Sequence, residues 1–209
     1  MISFISKYFT WILFAVITCF FLFFNINIRK QSSEHKLREK LYADSIANYQ
    51  TVIKDLALFQ KYEISSSGNS ILQDITLESI HGNKTSFETV VNKTYLIYRF
   101  TESDCIDCME QQFLYIQELL SNMNFDNIIL IGNFPSRHNI EAFKETFGIE
   151  WPVFNYTEKL NLPIEDLNLP YFFVINSDMK AYNFRVASGV TSLIIENYLL
   201  GIENMMTGD

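Results

Sequence analysis

Two cysteines, Cys105 and Cys108, are separated by two residues and lie where an apolar run gives way to a helical pattern. The apolar run Tyr95–Phe100 predicts a central strand buried on both faces. After it, apolar residues recur at helical spacing, at Met109, Phe113, Ile116 and Leu120. A Cys-x-x-Cys pair at a strand-to-helix junction is typical of a redox-active dithiol.

The position of each cysteine predicts its role. At the beginning of a helix, the free N–H groups and the helix dipole would stabilise a Cys105 thiolate. Cys105 would then attack a partner disulfide, and Cys108 would resolve the mixed disulfide. Inert core cysteines and a purely structural disulfide remain alternatives. A zinc site needs four ligands, and the histidines at 35, 81 and 138 are scattered, so we expect no metal and no cofactor.

Strand and helix patterns alternate through the rest of the chain. They predict an α/β domain with a mixed β-sheet flanked by helices on both faces. The predicted strands are 71–77, 95–100, 127–132, 171–175 and 181–186, with a short extended piece at 151–155. The predicted helices are a short piece at 86–91, 105–120, a helix capped by Ser136 and ended by Gly148, and 190–200.

These features together resemble the thioredoxin-like superfamily, in particular the membrane-anchored TlpA/ResA-type thiol–disulfide oxidoreductases. The resemblance covers about Ile71 to Leu200. It is carried by the turn around Gly82, by the strand leading into the two cysteines, and by Leu169-Pro170 directly before the strand at 171–175. It implies that Pro170 is preceded by a cis peptide bond and faces the dithiol, and that the backbone of Leu169 pairs with the bound substrate.

The residues around the cysteines depart from that family. Arg99, six residues before Cys105, stands where thioredoxins keep a buried acid, and an arginine cannot serve as that base. Its charge would instead stabilise the Cys105 thiolate. Carboxylates near the motif oppose this effect, at Glu102, Asp104, Asp107 and Glu110. We therefore expect a modestly stabilised thiolate, which makes a reductant more plausible than a strong oxidant.

The N-terminal segment has the composition of a membrane anchor. Lys7 and Arg29 bracket 21 uncharged residues, and about 20 apolar residues span a bilayer core of roughly 30 Å. We predict an anchor at 1–30 that contacts the lipid bilayer through 8–28. A cleaved signal peptide is the competing interpretation, but no Ala-x-Ala-like site follows the run. Cys19 would be a small apolar filler within lipid.

A helical connector is predicted at 31–64, capped by Ser33. Its apolar and small residues recur at spacings of 3 and 4, at Tyr42, Ser45, Tyr49, Val52, Leu56 and Phe59. Two interpretations remain open: an amphipathic helix lying on the body, or a short stalk that dimerises through 42–59. Ser65–Ser70 predicts a flexible break, so the thioredoxin-like domain is placed at 65–209.

The charge distribution bears on partners and compartment. Residues 29–40 carry a net charge of +3 and residues 41–209 a net charge of −12. An acidic body is unsuited to binding nucleic acid. The basic residues after the anchor favour a cytoplasmic body, whereas the resemblance implies an extracytoplasmic one. We follow the resemblance: a single-pass protein of a bacterial inner membrane, with its body in the periplasm and a membrane or periplasmic electron donor.

Two functions from different classes therefore remain. The first is a membrane-anchored thiol–disulfide oxidoreductase acting on protein thiols and disulfides. The alternative is a non-enzymatic thioredoxin-fold interaction module in which the cysteines form only a local disulfide. A peroxiredoxin is disfavoured, because Glu102 stands where that family needs threonine.

Overall fold

The computed structural model describes residues 2–72, 74–101, 106–123, 127–187 and 192–207. Within these ranges, side chains are described except those of 2–13, 15, 101, 106–112, 192 and 207. In chain order the elements are α1 (Ile2–Ser66), β1 (Thr76–Ser79), β2 (Lys84–Ser86), α2 (Phe87–Val90), β3 (Tyr95–Thr101), α3 (Ile106–Ser121), β4 (Ile128–Asn133), α4 (Arg137–Phe147), β5 (Val153–Asn155), a 3₁₀ helix (Pro163–Leu167), β6 (Tyr171–Ile175), β7 (Ala181–Val186) and α5 (Ser192–Thr207).

The described strands form one mixed sheet in the order β2-β1-β5-β4-β3-β6-β7. The central strand β3 pairs in parallel with β4 and antiparallel with β6. β4 also pairs in parallel with β5. Helices α3 and α4 connect these parallel strands, as crossover connections require. The predicted mixed α/β sheet is confirmed.

The sheet has two differently packed faces. On the helix face, Leu96, Tyr98 and Phe100 of β3 pack with buried residues of α3, α4 and α5. On the loop face, Ile97 packs with α2, with the segment 160–164 and with the end of α1. Side chains alternate along β3, so the odd-numbered residues, including Arg99, belong to the loop face. The predicted placement of helices on both faces is confirmed.

Contacts divide the chain into two compact units, Met1–Lys54 and Asp55–Asp209. The second unit begins ten residues before the predicted boundary at 65, because the last turns of α1 belong to it. Phe59 and Tyr62 pack against the loop-face core. The connector is therefore an amphipathic helix lying on the body over these turns, and Phe59 is not free for the predicted dimer seam.

The first unit is helical throughout its described residues. Helix α1 runs through Ser33 without interruption, so Ser33 is not the N-cap that was predicted; its Oγ donates a hydrogen bond to the Lys30 carbonyl at 2.8 Å. Tyr42 and Tyr49 are each 69% exposed. Across the described residues, no helix combines the length and apolar character needed to cross a membrane. The side chains of 8–13, within the predicted anchor, lie outside that description.

The first predicted strand, at 71–77, is wrong in its position. The strand β1 spans Thr76–Ser79 and forms an antiparallel hairpin with β2, with Gly82 at φ 78° in the turn. Ile71 instead donates its N–H to the carbonyl of Met179 and buries its side chain in the loop-face core. The apolar and polar alternation was therefore produced by loop residues that cover the sheet.

Candidate functional site

In the sequence, Cys105 falls between the described ends of β3 and α3, and Cys108 falls within α3. β3 ends at Thr101, and α3 begins at Ile106, the residue after Cys105. Cys108 is the third residue of α3. Further along α3, Phe113, Ile116 and Leu120 are buried against the sheet, so the helix is held on the helix face. This confirms three of the four positions of the predicted apolar stripe.

Several predicted site residues lie outside the described residues. Glu102, Asp104 and Cys105 are among them, and the side chains of Asp107 and Cys108 are not described either. Their roles as nucleophile, resolving thiol and tuning carboxylates stay predictions. The described part of the site consists of Arg99, Leu169, Pro170 and their surroundings.

Arg99 is a buried cation at the carboxyl end of β3. It is 4% exposed, and it projects onto the loop face. Its Nη2 donates to the carbonyl of Glu158 at 3.0 Å, and its Nη1 donates more weakly to the carbonyl of Ile131 at 3.5 Å. The guanidinium carbon lies 5.8 Å from the centre of the Tyr156 ring, a cation–π distance. Burial lowers the pKa of Arg99, as expected for a desolvated cation.

Two further groups complete a buried polar cluster with Arg99. Tyr171 is its register partner on β6, and Glu165 comes from the 3₁₀ helix. A Glu165 oxygen lies 3.9 Å from Arg99 Nε, close enough for an ion pair but not for a hydrogen bond. The Tyr171 hydroxyl is buried and has no hydrogen-bond partner among the described residues. Burial first, and then the neighbouring Glu165, raise the pKa of Tyr171 well above its usual range.

A cavity of about 240 Å³ opens above this cluster. It lies at the carboxyl ends of β3 and β4, where open α/β sheets commonly bind ligands. The lining residues are Arg99, Phe100, Asn133, Thr157, Glu158, Lys159, Glu165, Asn168, Leu169 and Tyr171. Two residues singled out from the sequence for different reasons, Arg99 and Leu169, therefore line the same cavity.

The expected cis peptide bond before Pro170 is wrong for this structure. The described residues contain no cis peptide bond, so Leu169 and Pro170 are joined in trans. Even X–Pro bonds favour trans, by about 0.5–1 kcal/mol. In this geometry the Pro170 carbonyl accepts a hydrogen bond from the Ala187 N–H at 2.7 Å, and Leu169 faces the cavity.

Sequence reasoning missed Glu165 and the Tyr171 hydroxyl as parts of the site. Glu165 lies 66 positions after Arg99, and no local spacing connects them. One signal was present: an arginine inside an apolar strand that is buried on both faces needs a polar partner, because a buried unpaired charge is costly. That signal predicts a partner without identifying it.

Comparison with known proteins gives a fold but no family. No family model matches the chain, and no curated protein matches it. A candidate electron transfer protein from Aquifex aeolicus VF5 has a solved structure that aligns with a TM-score of 0.50 at 16% identity, covering 64% of this chain and 96% of that one. At this identity the similarity establishes the fold alone. The domain has a thioredoxin-like α/β fold, as the sequence predicted.

Two further solved structures align with lower TM-scores. A candidate protein disulfide isomerase from Bacteroides thetaiotaomicron gives a TM-score of 0.48 at 15% identity, covering 66% of this chain and 90% of that one. A candidate thiol:disulfide interchange protein DsbE from Chlorobium tepidum gives 0.46 at 14% identity, covering 65% and 96%.

Proposed function

We propose that this protein is a thiol–disulfide oxidoreductase that uses Cys105 and Cys108 on partner proteins. The observation that carries the proposal is the position of the pair. Cys105 immediately precedes α3 and Cys108 lies in its first turn, at the carboxyl end of the central strand of a thioredoxin-like sheet. A disulfide between residues this close constrains little chain entropy, so a structural role would add little stability.

The proposed reaction is a two-step exchange. The Cys105 thiolate attacks one sulfur of a client disulfide and forms a mixed disulfide, releasing the other client sulfur as a thiolate. The Cys108 thiolate then attacks the Cys105 sulfur, which closes the Cys105–Cys108 disulfide and releases the second client thiol. The client gains two electrons and two protons. A dithiol electron donor, in the membrane or in the periplasm, must return both to the protein.

The charges near the motif support the proposed direction of electron flow. Strong oxidants hold their attacking cysteine as a highly stabilised thiolate, which favours the reduced state. Here Glu102, Asp104 and Asp107 lie within three residues of Cys105 and disfavour an additional negative charge. Arg99 is hydrogen-bonded to backbone carbonyls and paired with Glu165. This engagement supports the proposal that the protein acts as a reductant.

We further propose that the N-terminal segment anchors the protein in a bacterial inner membrane, with its thioredoxin-like domain in the periplasm. Support comes from the uncharged run between Lys7 and Arg29 and from the compartment in which disulfide exchange is useful. A C-terminal reporter that is active on only one side of the membrane tests the orientation. Activity on the cytoplasmic side would contradict the proposal.

A homodimer through the connector remains part of this proposal, with a revised seam. Since Phe59 packs on the body, the seam would use the exposed side chains of Tyr42, Ile46, Tyr49 and Ile53, whose spacings are 4, 3 and 4. Sedimentation of the full-length protein in detergent tests this proposal. A monomer at all concentrations would contradict it.

Trapping of mixed disulfides tests the proposed function. Cys108→Ser leaves Cys105 able to attack but removes the resolving thiol, so clients should accumulate as disulfide-linked adducts on non-reducing gels. Cys105→Ser is the matched control and should trap none. Cys19→Ser should be combined with both variants, because Cys19 is the remaining cysteine of the chain.

The competing function is a non-enzymatic interaction module with a local disulfide. It predicts that Cys108→Ser traps no partner, while partners are still recovered non-covalently with both cysteines replaced. That pair of results would overturn the oxidoreductase proposal.

A further inference from the structure

We propose that the cavity above Arg99 and Tyr171 is a carboxylate-binding subsite, which takes an acidic side chain of a client polypeptide. The proposal rests on the proposed function for the nature of the client, but the carboxylate binding itself does not require redox chemistry. Nothing in the sequence pattern assigned a binding role to Arg99, Tyr171 and Glu165 as a group.

Unused hydrogen-bond donors are the first argument. A guanidinium carries five N–H donors. Within the described part of the chain, Arg99 uses two of its nitrogen atoms for backbone carbonyls, and the longer of these contacts is 3.5 Å. The Glu165 carboxylate at 3.9 Å is outside hydrogen-bond distance. Arg99 is 4% exposed and lines the cavity, and these two backbone contacts use only part of its donor capacity.

The Tyr171 hydroxyl is the second and independent argument. Tyr171 is 2% exposed and lines the same cavity, yet its hydroxyl has no hydrogen-bond partner among the described residues. A buried hydroxyl without a hydrogen-bond partner has lost its hydration with nothing in exchange, which is unfavourable. A ligand oxygen placed between this hydroxyl and the Arg99 guanidinium would satisfy both groups.

The shape of the cavity fits a side chain rather than a large cofactor. Its volume of about 240 Å³ corresponds to a few side-chain atoms with accompanying water. Leu169 supplies an apolar wall for the aliphatic part of a glutamate or aspartate, and Asn168 supplies an amide. Lys159 also lines the cavity, and its ammonium contacts Asp166 at 3.2 Å.

The negative charge of the Glu165 carboxylate opposes the binding of a second anion in the cavity. Glu165 directs one oxygen to the Leu162 N–H at 3.4 Å and the other towards Arg99. Glu158 binds Arg99 through its backbone carbonyl, which carries no net charge. Arg99 and Tyr171 contribute a guanidinium and a phenol to the cavity lining, and both groups are hydrogen-bond donors. A planar carboxylate matches a guanidinium in geometry, whereas a cationic ligand would meet Arg99 directly.

The test uses a small ligand with no thiol. N-acetylglutamate N-methylamide and its glutamine isostere are titrated into the full-length protein in detergent, and amide shifts of Asn168, Leu169 and Tyr171 are followed by NMR. A charge-assisted hydrogen bond predicts that the glutamate compound binds about tenfold more tightly than the glutamine compound. Equal affinities for the two compounds would overturn the proposal.

Two substitutions assign the effect to the cavity. Tyr171→Phe should weaken glutamate binding several-fold without loss of folding, because the deleted hydroxyl has no hydrogen-bond partner among the described residues. Arg99→Gln should abolish the preference for glutamate, and a preference that survives this substitution would contradict the proposal. Lys61→Gln is a control outside the cavity and should leave both affinities unchanged.

The outcomes separate this inference from the proposed function. Replacing both Cys105 and Cys108 by serine should leave glutamate binding intact. If glutamate binding fails while Cys108→Ser still traps clients, the subsite is wrong and the oxidoreductase stands. If glutamate binds but Cys108→Ser traps no client, the carboxylate subsite stands and the oxidoreductase proposal is wrong.

Discussion

The two faces of the sheet are built from different kinds of interaction. The helix face is filled by aromatic rings: Phe113 lies with its ring centroid 4.9 Å from both Phe143 and Phe147, and Phe100 stacks 5.3 Å from Tyr98. The loop face is apolar over most of its area but includes buried polar groups, among them Arg99, Glu165, Glu63 and Ser66. Apolar burial drives packing on both faces, whereas buried polar groups also require specific partners.

This difference explains how the segments that cover each face are held on the sheet. Apolar side chains at helical spacing are enough to hold α3, α4 and α5 on the sheet. The loop face is covered by the end of α1 and by irregular segments. The irregular segments have no continuous apolar stripe. Specific hydrogen bonds position them: Glu63 accepts from the Val186 N–H at 2.8 Å, and Ser66 accepts from the Ile164 N–H at 2.9 Å. The proposed carboxylate site lies on this polar face.

The largest effect is expected on the helix face. Phe113→Ala removes a ring that is 2% exposed and contacts four other aromatic rings, so the free energy of unfolding should fall by about 3–5 kcal/mol. Urea denaturation of the domain measures it. Leu114→Ala on the exposed side of α3 is the control and should change little. Comparable losses for both variants would contradict the assignment of the buried stripe.

Glu63→Ala tests the polar attachment of α1. The carboxylate is 7% exposed and contacts both the Val186 N–H and Arg185, whose Nη1 lies 3.3 Å away. Since the Arg185 side chain is partly solvated, we expect a loss of about 2 kcal/mol rather than the full effect of a buried ion pair. Glu141→Ala, which breaks the exposed pair with Arg137, should cost under about 0.5 kcal/mol. Equal effects would show that α1 is not held by this contact.

Ser66→Ala should have a smaller effect. Its hydroxyl is buried and accepts the Ile164 N–H, so the substitution should leave that donor unsatisfied and cost about 1–2 kcal/mol. Ser65→Ala is a neighbouring control, because the Ser65 hydroxyl is exposed and bonds only within its own helix. Thermal unfolding compares the two variants. A Ser66→Ala protein as stable as Ser65→Ala would remove the role assigned to this hydroxyl.

The smallest effect at neutral pH is expected for Tyr171→Phe. Its hydroxyl is buried and has no hydrogen-bond partner in the described part of the chain, so its deletion should leave stability within about 1 kcal/mol of the wild type, or slightly above it. The difference should emerge at high pH. Because the pKa of Tyr171 is raised in the folded state, the unfolded state loses its proton first, near pH 10. The wild type should therefore lose stability as the pH rises above about 10, by up to about 1.4 kcal/mol per pH unit for this group.

Denaturant midpoints measure this contribution between about pH 8 and 11, a range that includes the ordinary tyrosine pKa. The slope should be smaller in Tyr171→Phe than in the wild type. Tyr42→Phe, at an exposed position, should keep the wild-type slope. A Tyr171→Phe protein with the wild-type slope would show that this phenol is not buried in solution.

The strands of the sheet and the helices on its helix face were the most predictable elements from sequence. The strands at 171–175 and 181–186 match β6 and β7, and the helix predicted between Ser136 and Gly148 is α4, with Ser136 accepting from the Asn139 N–H and Gly148 at φ 59°. Periodicity and capping chemistry are local, so one sequence contains them. The strand prediction failed at Ile71, where tertiary contacts decide. For the turns that carry Phe59, the sequence left two interpretations open, and packing on the body decides between them.

In the candidate site, too, local patterns could be predicted from sequence and long-range assembly could not. Cys105 and Cys108 could be proposed from sequence because their chemistry requires a fixed local spacing, and their role stays a prediction. The Arg99, Glu165 and Tyr171 cluster was not, because it is assembled by the pairing of β3 with β6 and by the return of the 3₁₀ helix. The trans bond before Pro170 also differs from what the family resemblance implied. A resemblance carries over a fold more safely than it carries over the details of a site.

The reduction potential of the Cys105–Cys108 pair tests the central claim most directly. The full-length Cys19→Ser protein is equilibrated in dithiothreitol and glutathione buffers, and free thiols are counted by mass spectrometry after alkylation. We predict a single two-electron transition with a potential below about −200 mV, in the range of reducing dithiols. A potential near about −120 mV, that of a strong oxidase, would contradict the proposed direction of electron flow. The absence of any reversible transition would contradict the oxidoreductase itself.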